Sequence, residues 1–582
     1  MLAVAPAAAA APGPTAPVYD RFGHIVQTPL APLPDAPRLS KERGTNLFLA
    51  DPKVAGWVGR YPPKPTTEAT FEDGSWTVKV WSGKAGEIAE GKVDDTTGAV
   101  TEAWTGPQVA WKMARGYDGA FGGTKINSLP VWLGFCAVFL LGLVDWRRLF
   151  SLRNLDLLVL LSFSVSLWYF NDGNVFTSVP LVYPPLLYLL LRALWTARRG
   201  RGSPSHAVWP VWVLAAATVF MLGFRIGLNV QASNVIDVGY AGVIGADRLA
   251  HGQAPYGHFP VEDDLKACGP ADAAGEIRDR IQANGRCESA NPLGDTYGPI
   301  SYAAYLPGYW ALGWTGKWDD LPAAHFTSIL WDVLCVLGLA LVGRRYGGNR
   351  LAATLAFAWA AYPFTQYASN SNTNDAIMPA FLIFGFWLAS TDAARGMLAA
   401  FAGWTKFAAF IVAPLWLTYP EARRPRRWWP YAAGFALATV ASLSVLLLEP
   451  GLGHALRLFW NRTVWTQVTR ESPFSLWDWG QYHASGIPDL GFVQKVLEGL
   501  LVAGAILVAF VPRRKSPLQL AALTSALLVG FELVLTHWSW LYIPWFFPFA
   551  AITALTPAAA RDEAAAVEEA DERGLPELVA AH

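Results

Sequence analysis

The sequence predicts an all-α polytopic membrane protein with a small α+β domain near its N-terminus. Of the 582 residues, 53% are hydrophobic. Only 15% are charged, whereas soluble domains carry about 25%. The apolar residues are gathered in runs long enough to span a bilayer, which takes about 20 residues. The 45 basic residues balance the 45 acidic ones, so the charge gives no reason to expect nucleic acid as a partner.

The N-terminal part of the chain divides into a tail and a small domain. Residues 1–45 are rich in Ala and Pro and contain no apolar run, so we expect a disordered tail. Residues 46–125 have the composition of a globular α+β domain, which we expect outside the cytoplasm. Short alternating segments in this domain predict strands, and turn residues separate them. The predicted elements are a helix at 51–61, strands at 75–82, 87–93 and 99–104, and a helix that begins at Pro107.

The rest of the chain is dominated by apolar runs. We expect three accessory helices in residues 129–200, a larger membrane domain in 205–560 and a solvated tail in 561–582. Twelve runs are of membrane-spanning type. They lie at 129–146, 155–171, 175–195, 207–225, 323–343, 351–367, 375–390, 396–419, 430–448, 491–511, 517–536 and 541–557.

Clusters of basic residues orient these runs. Short loops rich in Lys and Arg stay cytoplasmic, and such loops follow the first, third, fifth, eighth and tenth runs. The pattern predicts an extracytoplasmic N-terminal domain, a cytoplasmic C-terminus, and outer loops at 226–322 and 449–490. The clusters are Arg147, Arg148 and Arg153; Arg198, Arg199 and Arg201; Arg344, Arg345 and Arg350; Arg423, Arg424, Arg426 and Arg427; and Arg513, Arg514 and Lys515.

The eighth run, 396–419, contains a lysine at its middle, in Gly403-Trp404-Thr405-Lys406. A charge at that depth costs a few kcal/mol in lipid. A single span here would also place the loop at 391–395 and the arginines at 423–427 on opposite faces. We therefore expect a hairpin of two short helices with Lys406 at its tip, which makes about 13 membrane segments. The alternative is one helix with a lysine that faces a pore.

Cysteine and histidine usage predicts no metal site and no cofactor. Cys268 and Cys287 lie in the first long outer loop and are candidates for a disulfide in an oxidising compartment. Free thiols are the alternative. Neither the four cysteines nor the nine histidines show the spacing of metal ligands.

Four motifs occur in order between residues 205 and 560. Asp237-Val238-Gly239-Tyr240 is followed by a helix-like segment that contains Asp247 and Arg248. Next come Tyr297-Gly298-Pro299-Ile300-Ser301-Tyr302, the polar turn Asn370-Ser371-Asn372-Thr373-Asn374-Asp375, and Thr405-Lys406. In type, order and predicted membrane side, this set resembles the integral-membrane glycosyltransferases of the GT-C superfamily, and it implies a GT-C-like membrane domain.

The resemblance implies an inverting, metal-independent transfer of a sugar from a polyprenyl-phosphate donor. The acceptor would be a glycan, lipid or protein of the cell envelope, at the outer face of the cytoplasmic membrane. Asp237 would act as general base, and Lys406 would stabilise the departing phosphate. Arg457, Arg462 and Arg470 are further phosphate candidates. The other residues expected to bind substrate are Tyr240, Asp247, Arg248, Tyr297, Asn374, Asp375 and His537.

The N-terminal domain carries a second resemblance. The run WTVKVWSGKAGEIAEGKVDDTTGAVTEAWTG is similar to PepSY-like domains, in which a strand ends in D-x-x-T/S-G-x-V. This resemblance implies a small accessory module that regulates the protein or recognises substrate. A purely structural domain is the alternative.

Other roles for these residues, and other functions for the protein, stay open at this point. Asp237 and Asp375 are also suited to cap helices, Tyr240 to anchor the interface, and Lys406 to snorkel towards headgroups. A lipid or solute transporter, or a receptor with an extracytoplasmic sensory domain, is the alternative function. A transporter would require charged residues through the membrane midplane and inverted repeats.

Overall fold

The structure is a computed structural model of the full chain. It describes residues 18–19, 21, 25–27, 37–109, 119, 121–204, 208–259, 280–281, 287–288, 294–316, 320–470 and 472–558. The protein is mostly helical, at 67%. It divides into two compact units, Met1–Val109 with Tyr482–Ile487, and Ala110–Gln481 with Pro488–His582.

The first unit contains a four-stranded antiparallel sheet whose strand order follows the sequence. Alternating burial along its second strand places Trp76, Val78 and Val80 in the core, as the alternating pattern predicts. Phe48 of the first helix packs so closely on the sheet that a side chain at Gly91 would collide with its ring. The elements are α1 (Lys41–Ala50), α2 (Pro52–Val58), β1 (Val18–Tyr19), β2 (Ile25–Gln27), β3 (Thr66–Glu72), β4 (Ser75–Trp81), β5 (Glu87–Asp94) and β6 (Val100–Thr105).

The sequence located three of the four sheet strands and missed β3, an edge strand with a single buried residue, Ala69. The expectation of a tail up to residue 45 is wrong at its end, because α1 begins at Lys41. Ser40 caps this helix, since its Oγ accepts a hydrogen bond from the Arg43 amide at 3.2 Å. The division between the units falls after Val109, earlier than the expected boundary at 125.

The second unit consists of helices. Arg280–Ile281 and Cys287–Glu288 add a short strand pair, β7 and β8. The helices are α3 (Leu129–Leu143), α4 (Leu152–Asn171), α5 (Val175–Arg199), α6 (Val211–Ala232), α7 (Asp237–Ala250), α8 (Pro299–Ala303), α9 (Leu306–Leu312), α10 (Pro322–Ala361), α11 (Pro363–Asn370), α12 (Ile377–Trp387), α13 (Asp392–Thr405), α14 (Phe407–Leu417), α15 (Pro425–Leu448), α16 (Leu452–Phe459), α17 (Gly491–Phe510), α18 (Pro517–Val534) and α19 (Trp540–Leu555).

Seven helices of the described chain are long and apolar enough to cross a membrane, namely α4, α5, α6, α10, α15, α17 and α18. The apolar helices α3, α12, α14 and α19 are shorter. Large apolar side chains such as Trp212, Phe220 and Phe492 point outward from the candidate spans, as lipid-facing surfaces require. The chain is thus a multi-pass membrane protein, and the count of thirteen segments stays a prediction.

Two of the apolar segments fold back on themselves. Helix α10 breaks at Gly347 and Gly348, and the Trp359 indole donates a hydrogen bond across the fold to Asp332 at 2.8 Å. The eighth run forms the predicted hairpin rather than one helix. Its ends meet where Arg395, near the start of α13, donates hydrogen bonds to the carbonyl oxygens of Trp416 and Tyr419, both at 2.9 Å.

The outer-loop predictions differ from the structure in detail. Helix α6 continues to Ala232, beyond the end of the predicted run at 225, so Asp237 follows the end of the helix by only five residues. Residues 297–314, in the predicted outer loop 226–322, contain two short helices, α8 and α9. The predicted loop 449–490 contains α16, which continues through a π-helical stretch at Trp460–Trp465 into Thr466–Thr469.

The arginine-rich loops lie together at one end of the helical unit, which we call the basic end. Contacts join them in series, so that each basic loop touches the next. These contacts are Arg148 Nη1 to Pro204 O at 3.3 Å, Gln519 Nε2 to Ala197 O at 2.8 Å, Ala422 N to Arg513 O at 2.9 Å, Arg427 Nε to Asp392 Oδ2 at 3.0 Å, and Arg345 Nη2 to Ser390 Oγ at 2.6 Å. This shared end agrees with the arginine pattern in the sequence, while the membrane side it faces stays a prediction.

Candidate functional site

A buried ion pair forms the centre of the candidate site. Lys406 Nζ lies 2.8 Å from Asp375 Oδ1, with side-chain exposures of 9% and 1%. The Trp545 indole donates a hydrogen bond to the same carboxylate oxygen at 2.9 Å. Asp375 precedes α12 and Lys406 follows α13, while the opposite ends of both helices lie at the basic end. The pair therefore lies at the other end of these helices.

Local backbone geometry brings the lysine to this position. The Lys406 backbone is extended, with φ −137° and ψ 121°, which ends α13 and turns the chain into α14. Gly298 approaches the carbonyl of Trp404 so closely that a Cβ atom at residue 298 would collide with that oxygen. Only glycine fits there, and the close approach carries the neighbouring Tyr297 onto Lys406.

Three aromatic rings surround the ammonium group. Lys406 Nζ lies 5.0 Å from the ring centroid of Tyr297, 5.4 Å from that of Tyr542 and 5.1 Å from that of Trp545. Tyr542 and Trp545 are themselves stacked, with centroids 4.1 Å apart. Cation–π attraction and the carboxylate together hold the ammonium group in place, in a site that is largely screened from water.

The floor of the site contains hydrogen-bond acceptors that the fold does not use. Within the described part of the chain, Asp375 Oδ2 and Asn374 Oδ1 are buried and have no hydrogen-bond partner. The amide nitrogen of Asn374 donates to Ser301 Oγ in α8, which fixes this side chain. Buried acceptors without donors are destabilising, and the hydroxyl groups of a bound ligand would satisfy them.

The rim of the site is formed by Asp237, Arg470 and His537. Burial raises the pKa of Tyr297, and the nearby charge of Asp237 raises it further, whereas Arg470 opposes this effect. Burial and the positive charges of Arg470 and Lys406 lower the pKa of His537 well below its usual range. His537 is half-buried and its Nδ1 lies 2.9 Å from Ser472 Oγ, whereas Asp237 and Arg470 are exposed. Charges of both signs therefore lie close to Tyr297 and His537, and those of Asp237 and Arg470 are exposed.

Asp237 is the first residue of α7, and its Oδ1 accepts a hydrogen bond from the Val238 amide at 2.9 Å. This local bond leaves the carboxylate exposed at the rim. Asp375, by contrast, does more than cap α12, because its side chain binds Lys406 and Trp545. The hypothesis that Lys406 snorkels to headgroups does not fit its buried ion pair.

Three residues of α7 that were predicted to bind substrate make their contacts away from Lys406. Tyr240 is buried, and its ring packs edge-on against Trp314, at a centroid distance of 6.0 Å. Asp247 accepts a hydrogen bond from the Tyr309 hydroxyl at 2.6 Å. Arg248 Nε donates to the carbonyl of Ala254 at 2.7 Å. These contacts hold α7 against its neighbours, and none of them involves Lys406.

The three arginines that were predicted to bind phosphate lie in different surroundings. Arg462 Nε lies 3.4 Å from Oδ2 of the fully buried Asp295, and burial raises the pKa of this carboxyl group. Arg457 is exposed on α16. Arg470, which the sequence offered only as a further candidate, is the arginine whose charge acts on Tyr297 and His537.

Sequence reasoning missed Tyr542 and Trp545. Both lie in the aromatic run Trp538–Phe549, which reads as an ordinary apolar helix. Their spacing of three residues places them on one helix face, but nothing in the sequence pairs that face with Lys406.

The structure does not test the predicted disulfide, because Cys268 lies outside the described residues. The tail at 561–582 also lies outside them. In the portion of the chain that the structure describes, no group of three or more His, Cys, Asp or Glu residues is arranged to hold a metal ion.

Comparisons with known proteins give one distant structural match. No protein-family model matches the chain, and no curated protein matches it. Among solved structures, the chain is similar to the crystal structure of ArnT from Cupriavidus metallidurans bound to undecaprenyl phosphate, with 16% identity and a TM-score of 0.39. The match covers 60% of this chain and 60% of that one, and it is too distant to carry a functional argument.

Proposed function

We propose that the protein is a membrane glycosyltransferase that transfers a sugar from a polyprenyl-phosphate donor to a cell-envelope acceptor. The observation that carries this proposal is the buried Lys406–Asp375 pair beneath a rim that contains Asp237 and Arg470. This arrangement combines an anion-binding cation with an accessible carboxylate base. Those are the two groups that sugar transfer from a phosphate ester requires.

Lys406 and Arg470 would bind the donor phosphate. The lysine ammonium has three N–H donors, and Asp375 Oδ1 accepts one of them. The others are available to phosphate oxygens that enter past Tyr297 and Tyr542. Charge-assisted hydrogen bonds of this kind are about twice as strong as neutral ones, and they stabilise the phosphate most as it departs.

Asp237 would act as general base. The acceptor hydroxyl gives its proton to the Asp237 carboxylate while the hydroxyl oxygen forms a bond to the anomeric carbon of the sugar. The bond from that carbon to the phosphate oxygen breaks, and the phosphate leaves with the electron pair. Attack opposite the leaving group inverts the anomeric centre.

The position of the site supports an outer-face reaction. The site and the basic end lie at opposite ends of α12 and α13, and arginine-rich loops favour the cytoplasm. The polyprenyl chain would lie against the apolar helices. The sheet unit would act as an accessory module, in line with its PepSY-like sequence.

The test is transfer by the full chain in proteoliposomes that contain labelled polyprenyl-phosphate monosaccharides. We expect Asp237→Asn to reduce transfer by about 10²- to 10⁴-fold, the usual contribution of a general base. Asp247→Asn is the matched control on the same helix and should keep transfer within a few-fold of the wild type. Equal turnover by Asp237→Asn and the wild type would exclude Asp237 as the base. Transport of the lipid by a wild type that transfers none of the sugars would indicate a transporter instead.

A further inference from the structure

Two loops at the basic end are joined by backbone hydrogen bonds. The loop between α14 and α15, together with the first residues of α15, pairs with the loop between α17 and α18. We call these two segments the paired loops (419–427 and 511–516). The Ala422 amide donates to Arg513 O and the Lys515 amide donates to Pro420 O, both at 2.9 Å. Glu421 and Arg514 form an antiparallel bridge. The two loops therefore form one built surface rather than two independent turns.

This surface carries a large excess of positive charge. Its single acidic residue, Glu421, lies 2.7 Å from Arg424 Nε and 3.5 Å from Arg514 Nε. The Lys515 ammonium is turned inward and donates to the carbonyl oxygens of Ala509 and Pro512, both at 2.8 Å. The six arginines of the paired loops are Arg423, Arg424, Arg426, Arg427, Arg513 and Arg514.

Three of these arginines have no acidic partner among the residues that the structure describes. Arg423, Arg426 and Arg513 are exposed, and the ion pairs of the described residues do not include them. Arg427, in contrast, is paired with Asp392 at 3.0 Å. The fold thus holds three unneutralised guanidinium groups on one surface.

The surface lies at the level where lipid headgroups are expected. Helix α15 begins at Pro425 and α17 ends at Phe510, and most of the apolar surface of both helices is not buried within the protein. That apolar surface is available to lipid. Trp429, Phe510 and Val511 are exposed beside the arginines, which is the usual arrangement at a membrane–water interface.

We propose that the paired loops bind the phosphate headgroup of an anionic glycerophospholipid. Unpaired guanidinium groups offer forked donors to phosphate oxygens, and the exposed aromatic and aliphatic side chains contact the acyl chains. A zwitterionic lipid brings its own cation to the same surface, so it binds less tightly. Clustered basic residues beside a span recognise anionic lipids in this way.

The experiment measures binding of the purified full chain to nanodisc or vesicle lipid containing phosphatidylglycerol, with phosphatidylcholine alone as reference. The variant is Arg423→Gln/Arg426→Gln/Arg513→Gln, which leaves the Glu421 ion pairs in place. The matched control, Lys41→Gln/Arg43→Gln/Lys84→Gln, removes the same charge from exposed positions of the sheet unit. We expect the wild type and the control to prefer phosphatidylglycerol at least tenfold, and the loop variant to lose most of that preference.

Folding and ligand source are checked in the same samples. Circular dichroism of the loop variant should match that of the wild type, and salt should weaken the phosphatidylglycerol preference. An unchanged preference in the folded loop variant would overturn the proposal. So would competition by soluble glycerol phosphate at the affinity of the vesicles, since that would indicate a free phosphate site.

Discussion

Two of the buried acid–base pairs in the described part of the helical unit, Arg225–Asp332 and Lys406–Asp375, differ in how fully hydrogen bonds satisfy them. Arg225 and Asp332 are both buried, and two N–H groups of Arg225 bind the two oxygens of Asp332. The remaining Arg225 nitrogen donates to Ala360 O at 3.2 Å and Thr365 Oγ1 at 3.1 Å. The Trp359 indole donates a further hydrogen bond to the Asp332 carboxylate at 2.8 Å.

The Lys406–Asp375 pair is built differently. A single carboxylate oxygen binds the lysine, and among the described residues the second oxygen has no hydrogen-bond partner. The lysine is bordered by three aromatic rings rather than by backbone carbonyls, and the exposed charged residues Asp237 and Arg470 lie nearby.

Under the proposed function, the difference is that between a structural pair and a substrate-binding one. A buried charge is tolerated when hydrogen bonds satisfy it completely, and Arg225 meets that condition by joining α6 to both arms of α10. Lys406 and Asp375 keep an unused acceptor, Asp375 Oδ2, among the described residues. Such a pair is stabilised fully only when a ligand supplies the missing partners.

The largest expected effect comes from replacing each pair as a whole by apolar residues. We expect Lys406→Met/Asp375→Leu to reduce transfer by at least about 10³-fold, because both phosphate stabilisation and the site floor are lost. Arg225→Met/Asp332→Leu should keep transfer within about tenfold, since it removes a structural contact. Initial rates in proteoliposomes, normalised to folded protein, check this. Equal losses in the two double variants would contradict the distinction.

In the Arg225–Asp332 pair, we expect the stability of the protein to depend strongly on whether both partners are present. Arg225→Met alone should lower the free energy of unfolding by about 3–5 kcal/mol, because it leaves the Asp332 carboxylate buried without a cation. Adding Asp332→Leu should recover most of that loss. Denaturant unfolding in detergent micelles measures both. A single variant as stable as the wild type would contradict this dependence of Asp332 on Arg225.

His537, next to the candidate site, predicts that the stability of the protein depends on pH. Its pKa is lowered in the folded protein, so below the unfolded value of about 6.5 the unfolded chain binds a proton that the folded one excludes. Stability should therefore be full above that pH and fall as the pH decreases, by at most about 1.4 kcal/mol per pH unit. His537→Gln should have a shallower pH profile than the wild type. Parallel profiles between pH 5 and 7 would contradict the assignment.

The sequence predicted the helices well because apolar runs of bilayer length allow few other structures. Each of the twelve runs coincides with helix, and the charge at Lys406 revealed the α13–α14 hairpin. The boundary errors fall where the sequence signal is weak, as at the edge strand Thr66–Glu72 and the Ser40 cap.

The candidate site was only partly accessible from the sequence. Asp375, Lys406 and Tyr297 stand out as polar residues in apolar or aromatic surroundings. Their partners Tyr542 and Trp545 do not, because an aromatic residue in an apolar helix is usually core. The sequence made Arg462 a candidate for binding phosphate, whereas the structure pairs it with Asp295. Asp295 is distant from Arg462 in sequence and belongs to no motif, so nothing in the sequence indicates this pair. Pairing between remote segments is set by packing, which a single sequence does not display.

The smallest expected effect concerns Asp247, which the structure separates from Lys406. The Tyr309 hydroxyl donates to Asp247 at 2.6 Å, and this hydrogen bond, followed by burial, raises the pKa of Tyr309 to about 12. Tyr309→Phe should therefore lower the free energy of unfolding by about 1 kcal/mol, with transfer within about twofold of the wild type because no contact with substrate is lost. Parallel unfolding and transfer assays check this. A tenfold loss of transfer without loss of stability would instead place Asp247 at the substrate, and would extend the functional region from the lysine pair along α7.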